Sequence, residues 1–209
     1  DGSIKLVSGK GIERLSETGV VVSDGTELPA DLVVYGIGVL PNAELAAQAQ
    51  LTVNNGIVVD AHLLTSDPAI SAIGDVVSFP SPWSPQAIRL ESVQNAVDQA
   101  KAVAARLMGK PAGYAALPWF WTDQGELKLQ IAGLADGHDE TVVLGSVEQH
   151  QISVLCFRGR LVAVESCNRP ADHMAARKLI ARNTPLSPAE AAAPGFDLKA
   201  FEVSTRETA

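Results

Sequence analysis

Three short stretches of this 209-residue sequence carry residue types whose chemistry goes beyond packing. Gly74-Asp75 closes the apolar run of residues 69–73, a pattern that reads as a strand ending in a carboxylate with no neighbouring side chain to obstruct a ligand. An aspartate so placed accepts hydrogen bonds from ligand hydroxyls, although Gly-Asp is also an ordinary turn. Sixteen residues further on, Glu91-Ser92-Val93 opens the clearest helical pattern in the chain. The first amides of a helix have no intrahelical acceptor and carry partial positive charge, so a negative group placed there is stabilised. A helix start without any ligand is the alternative. Pro118-Trp119-Phe120-Trp121-Thr122-Asp123-Gln124 concentrates two of the three tryptophans, whose faces can stack near a planar group or anchor a core. No triad of nucleophile, base and acid is recognisable, so no catalytic residue is assigned. Cys156 and Cys167, eleven apart, build neither a CxxC pair nor a zinc-ligand set and read as buried free thiols; no metal site is assigned.

These residues need elements to hold them. Up to Val39 the pattern is strand-rich: residues 19–22, a turn at Asp24-Gly25, then residues 31–35, an apolar run expected to be buried on both faces. Gly36-Ile37-Gly38 ends it and Pro41 blocks continuation, after which residues 43–50 read as a short helix. Residues 56–60 form another strand pattern, and a Pro/Ser-rich loop over residues 79–86 leads to the helix of residues 91–108. Val93, Ala96, Val97, Ala100, Ala104 and Leu107 share one face of that helix and are expected to pack inward, with Gly109 and Pro111 as the stop. From Leu117 an antiparallel series follows, with strands over residues 127–134, 141–147, 152–157 and 161–167, closed by a helix over 171–183. The Pro- and Ala-rich tail after Pro185 reads as an irregular strap. The fold class is therefore α/β plus α+β.

An apolar fraction of 46% with 19% charged residues is that of an ordinary globular protein. No apolar run approaches the ~20 residues of a membrane span, and no signal peptide is visible. A net charge of −8 argues against general nucleic-acid binding. These features point to the cytoplasm, and the absence of an initiating Met predicts a removed upstream segment.

The strings Ala72-Ile73-Gly74-Asp75, Arg89-Leu90-Glu91-Ser92-Val93-Gln94-Asn95-Ala96 and Pro118 to Gln124, followed by Leu127 to Leu134, resemble the FAD-dependent NAD(P)H:ferredoxin reductases of bacterial Rieske dioxygenases and cytochromes P450. The resemblance is to the branch holding the biphenyl dioxygenase, putidaredoxin and rhodocoxin reductases, and it runs from about Val33 to the end of the chain. It implies an FAD cofactor, NAD(P)H as electron donor and a [2Fe-2S] ferredoxin as electron acceptor. It further implies a partial FAD/NAD(P)-binding Rossmann-type domain followed by an antiparallel-sheet-plus-helix C-terminal reductase domain. Residues 1–42 would be the last strands of the NAD(P)-binding domain, 43–115 the second half of the FAD-binding domain and 116–209 the interface domain. By the same resemblance Asp75, beside Gly74, bonds the ribityl chain, the Val93 amide after Glu91 and Ser92 faces the flavin pyrimidine carbonyl, and Trp121 lies beside the isoalloxazine. Gly38 and Asn42 fall in the crossover between domains.

Family members carry two GxGxxG loops, and this sequence has neither, since Gly36-Ile37-Gly38 runs on into Leu40-Pro41. The chain is thus expected to work with a missing amino-terminal FAD/NAD half and to bind FAD poorly alone. A non-catalytic remnant or homodimer-forming module is the alternative. Arg169, Arg177, Lys178 and Arg182, opposed only by Asp172, form a basic face expected to steer an acidic ferredoxin; a solvated helix face is the competing reading.

Overall fold

The structure, a computed structural model, describes residues 4–110 and 113–206. One compact unit ends at Leu40 and a second begins at Pro41. The first is an antiparallel sheet of β1 (Ile12–Leu15), β2 (Gly19–Val22) and β3 (Glu27–Pro29), in that order. Gly19, Val21 and Val22 are its buried residues, and the expected turn forms at Gly25, with the Asp24 carboxylate accepting the Thr26 amide at 3.0 Å. Residues 31–35 depart from expectation: they form no strand, and Leu32 and Val34 are 80% and 86% exposed. An apolar run becomes a buried strand only where a neighbouring ladder takes its amides and carbonyls, and none does so among the described residues.

The second unit begins with α1 (Glu44–Gln48), shorter at both ends than the sequence suggests. Strand β4 (Ile57–Val58) pairs in parallel with β5 (Val77–Ser78). The strand expected before Gly74-Asp75 lies after it instead. Residues 74–76 form one 3-10 turn, entered through Gly74 at φ +82°, and pairing starts only at Val77. A small core of Val59, Leu63, Val77, Phe79 and Tyr114 lies beneath.

Helix α2 (Val93–Leu107) has the expected position but not the expected face. Gln94, Asn95 and Gln99 are buried, whereas Val93 and Leu107 are 65% and 75% exposed. The inversion has a hydrogen-bonding cause. Asn95 Nδ2 donates to the Leu90 carbonyl at 3.1 Å while its Oδ1 accepts from the Tyr114 hydroxyl at 3.1 Å. Gln94 Oε1 accepts the Trp119 amide at 3.2 Å, and Gln99 Oε1 accepts the Gly74 amide at 2.7 Å. Each buried amide oxygen thus has a partner inside the protein, which is what admits these side chains to an interior.

The carboxy-terminal part is a five-stranded antiparallel sheet in the order β6-β7-β10-β9-β8. Its strands are β6 (Trp119–Gln124), β7 (Leu127–Gly133), β8 (Glu140–Ser146), β9 (Gln151–Phe157) and β10 (Leu161–Cys167). The last four match the sequence pattern within a residue or two; β6, which holds the tryptophans, is an additional strand. Gly133 lets β7 meet β10, since a Cβ there would stand 2.1 Å from the Val162 carbonyl oxygen. Helix α3 (Pro170–Ala181) covers one face, burying Ala175, Ala176, Leu179 and Ile180 against Leu155, Phe157 and Val164. The tail is helical rather than an irregular strap. Ser187 and Glu190 form a capping box on α4 (Pro188–Ala191), and Asp197 caps α5 (Leu198–Ser204). Ala191 and Leu198 are buried in the sheet–helix core, which holds both helices in place. Cys156 and Cys167 are free thiols, and burial pushes the Cys156 pKa up.

Candidate functional site

Helix α2 is the element around which the predicted residues are arranged. On one side stands the Gly74–Val76 turn. Gly74 gives its amide to Gln99, and a Cβ added to it would meet nothing nearer than the Ala96 methyl at 3.8 Å. Asp75 is exposed, and its carboxylate has no hydrogen-bond partner among the described residues. The Asp75 carbonyl accepts from Arg89 Nη1 at 3.1 Å, and the same Nη1 pairs with Glu91 at 2.5 Å. Arg89 therefore links the turn to the residues that lead into α2.

At the start of α2, the Ser92 hydroxyl accepts the Asn95 amide at 3.1 Å as N-cap, and no acidic side chain occupies the first turn. The Val93 amide is left without an acceptor among the described residues, at an exposed position. This helix end can receive a negatively polarised atom. Glu91 and Ser92 also line a cavity of ≈220 Å³ with Leu90, Pro118, Trp119 and Phe120.

On the far side, Gln94 binds the Trp119 amide and so fixes the start of β6 to α2. Residues two apart on a strand point to the same face. Trp119 and Trp121 accordingly stack, with ring centroids 5.4 Å apart at 28°. Behind Trp119, the Arg177 guanidinium lies 4.3 Å from the ring centroid and His173 meets the ring edge-on at 5.9 Å. His173 is buried with both ring nitrogens unpartnered among the described residues, and burial, aided by the Arg177 charge, pulls its pKa down to about 4. Trp121, the outer member of the stack, is 40% exposed.

Gly74 is thus tied to α2 through Gln99 and Asp75 to Glu91 through Arg89, Ser92 and Val93 follow Glu91 at the helix start, and Trp121 is reached through Trp119 and Gln94. Asp75 and Trp121 do not touch. Sequence reasoning missed Arg89, Gln94, Gln99, His173 and the outward turn of Val93. The recurrence of Gln94, Asn95, Gln99 and Arg106 on one helical face was the available signal; Arg89 had none.

The basic face of α3 is largely spoken for. Arg169 pairs with Asp172 at 2.6 Å. Glu202 of α5, a buried carboxylate, binds Arg182 at 3.0 Å and also Arg206, with Lys178 at 3.9 Å. Asp172 is therefore not the only opposing charge. Of the four cations expected to form the patch, Arg177 alone has no carboxylate partner among the described residues, and it is laid on Trp119.

These residues fit one side of a planar, polar-edged cofactor such as a flavin: an aromatic shelf, an open helix start and an unpaired carboxylate of the kind that binds a polyol. Among the described residues no cluster of His, Cys, Asp and Glu could hold a metal ion, and no helix is long and apolar enough to cross a membrane.

The family model for pyridine nucleotide-disulphide oxidoreductases matches residues 2–100, and that for the reductase C-terminal domain matches residues 119–202. Rhodocoxin reductase of Rhodococcus erythropolis is 55% identical over 182 residues, covering 87% of this chain and 43% of that protein. The crystal structure of the ferredoxin reductase for the CYP199A2 system from Rhodopseudomonas palustris superposes with a TM-score of 0.88 at 48% identity, over 93% of this chain and 50% of that one. The reductase in a covalent putidaredoxin reductase–putidaredoxin complex gives a TM-score of 0.88 at 40% identity, over 96% of this chain and 50% of its own. The chain spans less than half the length of the curated relative and half that of the solved structures. Residues 2–100 thus match the pyridine nucleotide-disulphide oxidoreductase family and residues 119–202 the reductase C-terminal family, and along most of its length the chain is similar to ferredoxin reductases.

Proposed function

We propose that this chain forms one wall of the FAD site, and the carboxy-terminal interface domain, of an NAD(P)H:ferredoxin oxidoreductase. The observation that carries the proposal is that a single helix, α2, holds the Gly74-Asp75 turn through Gln99, an open amide end at Val93 and the tryptophan strand through Gln94. When bound, FAD supplies the chemistry, taking a hydride from NAD(P)H and passing electrons singly to a [2Fe-2S] ferredoxin. The protein binds and orients. Asp75 would accept hydrogen bonds from ribityl hydroxyls, and the Val93 amide would donate to the pyrimidine edge. Charge stabilisation there of ~1.4 kcal/mol corresponds to roughly 30 mV in a two-electron potential. The Trp119–Trp121 stack would border the ring system and restrict water.

In this reading residues 1–42 belong to the NAD(P)-binding domain, 43–115 to the FAD-binding domain and 116–209 to the interface domain. A further protein segment carrying the glycine loops for the FAD pyrophosphate and for NAD(P)H completes the enzyme. The exposed Val93, Val97 and Leu107 face of α2 and the exposed apolar run at residues 31–40 support such a covering segment. Electron transfer to a ferredoxin is supported by the putidaredoxin complex of the similar reductase. Cytoplasmic operation accords with the unpaired thiols.

The core that the sheet and helices of residues 119–206 build, with Trp83 and Leu117 packed against it, supports the second reading, a non-catalytic or dimer-forming module. Flavin absorbance during FAD titration separates the two. Asp75→Ala is expected to weaken FAD binding by about 1.5–3 kcal/mol, the worth of hydrogen bonds to a charged group. Unchanged affinity removes Asp75 from the site, and a protein that never takes up FAD, alone or with the glycine-loop segment, supports the module.

A further inference from the structure

Gln99 is fully buried, and its two polar atoms have unequal fates. Oε1 accepts the Gly74 amide at 2.7 Å across 25 residues of sequence, while Nε2 is buried with no partner among the described residues. An unmade buried donor costs stability, and a methionine of similar volume would avoid that cost. A glutamine is therefore an expensive way to fill this space, unless the bond at Oε1 serves something besides stability. What the bond holds is the 3-10 turn that carries Asp75. The turn is gripped on both flanks of that residue, at the Gly74 amide by Gln99 and at the Asp75 carbonyl by Arg89 at 3.1 Å. The carboxylate between the two grips has no hydrogen-bond partner among the described residues and is open to solvent.

We propose that Gln99 is a positioning residue for cofactor binding: its amide oxygen sets the Gly74–Val76 turn so that the Asp75 carboxylate is fixed before a ribityl hydroxyl arrives. Affinity then comes from pre-organisation, because the ordering of the turn is complete in the folded protein rather than deferred to binding. Gln99 itself touches no ligand. The inference rests on the flavin reading of the site.

The test uses the whole chain together with the glycine-loop segment that completes the cofactor site, unsubstituted and with three substitutions. Gln99→Met keeps the volume and removes both the acceptor and the unpartnered amide; Gln99→Glu keeps an acceptor oxygen; Asp75→Ala reports on the flavin reading itself. Three quantities are measured: hydrogen exchange at the Gly74 amide without FAD, the midpoint of thermal unfolding, and FAD affinity by fluorescence quenching. Gln99→Met is expected to speed Gly74 exchange and weaken FAD about tenfold, the scale of one hydrogen bond. Its midpoint should hold or rise, and Gln99→Glu should restore both protection and affinity.

Unchanged exchange and affinity in Gln99→Met, with Asp75→Ala still weakening FAD, overturns the positioning role and leaves the flavin reading standing. A fall in affinity matched by a fall in midpoint and not rescued by Gln99→Glu also overturns it, as a packing effect. If Asp75→Ala changes nothing, the flavin reading fails and the proposed role toward the cofactor fails with it, while Gly74 exchange still decides whether Gln99 sets the turn. Should Gln99→Met not fold, the shorter Gln99→Asn withdraws the oxygen and is read by the same three measurements.

Discussion

Helices α2 and α3 lie on the same chain and use opposite faces. Helix α3 buries Ala175, Ala176, Leu179 and Ile180 against the five-stranded sheet. Helix α2 buries Gln94, Asn95 and Gln99 and turns Val93, Val97 and Leu107 outward. The first closes a core, and its stability comes from apolar area removed from water. The second grips the backbone of its surroundings at Gly74, Leu90 and Trp119, so it places other segments rather than filling a volume. A helix that organises a site is therefore recognised here by buried amides with backbone partners, not by an apolar stripe.

The comparison can be broken at several points. Leu179→Ala on α3 should have the largest effect, a loss of about 2–5 kcal/mol in urea unfolding, because the side chain is buried in the main core. A loss below ~1 kcal/mol would show that the sheet–helix core is loose. Asn95→Ala on α2 should follow. It removes the Asn95 acceptor of the Tyr114 hydroxyl and the donor to the Leu90 carbonyl, for about 1–3 kcal/mol, and a neutral result would mean that water replaces the amide readily.

Two carboxy-terminal groups sharpen the contrast through pH. His173 has its folded pKa pulled to about 4 from 6.5, chiefly by burial, so the unfolded chain binds the proton more readily. Its contribution to stability is complete above pH 6.5 and is lost as pH falls from 6.5 toward 4. His173→Phe should flatten the stability profile in that window, and an unaltered slope would assign it to other groups. Glu202 has its carboxyl pKa lowered, first by the Arg206 hydrogen bond, so its contribution is present above its ordinary value of 4.5 and fades below it. Glu202→Gln should remove that acid-side loss. The smallest effect is expected for Leu107→Ser on the outer face of α2, within about 0.5 kcal/mol for the chain alone. A fall of several times that size would mean that the face is covered in solution.

Much of this was legible in the residues. Strands β7, β8 and β10 each follow a turn that bears Gly or Asp, and α2 is bounded by Ser92 and Gly109, so their positions follow from local chemistry, whereas the β8–β9 turn, residues 147–150, carries neither. The orientation of α2 was legible only as a recurrence of polar residues on one face, because an amide looks like a surface residue until its partners at Gly74, Leu90, Tyr114 and Trp119 are brought to it by the fold. Residues 31–35 failed for the converse reason: strand composition is local, but a strand requires a neighbour. The Gly74-Asp75 turn shows both. Its residue types announce a close approach and a carboxylate, whereas the grips by Arg89 and Gln99 come from 14 and 25 residues away. The tail held an overlooked local signal, since Ser187-Pro188-Ala189-Glu190 spells a capping box.

The carboxylate of Glu202 makes the last helix a mask as well as a strap. Where α5 is seated, positive charge on Lys178 and Arg182 is offset from below by Glu202. Cleavage in the loop before Asp197 that released α5 would free both cations from Glu202. The clipped protein should then elute later from a cation exchanger, and the retention time would report whether the tail is docked.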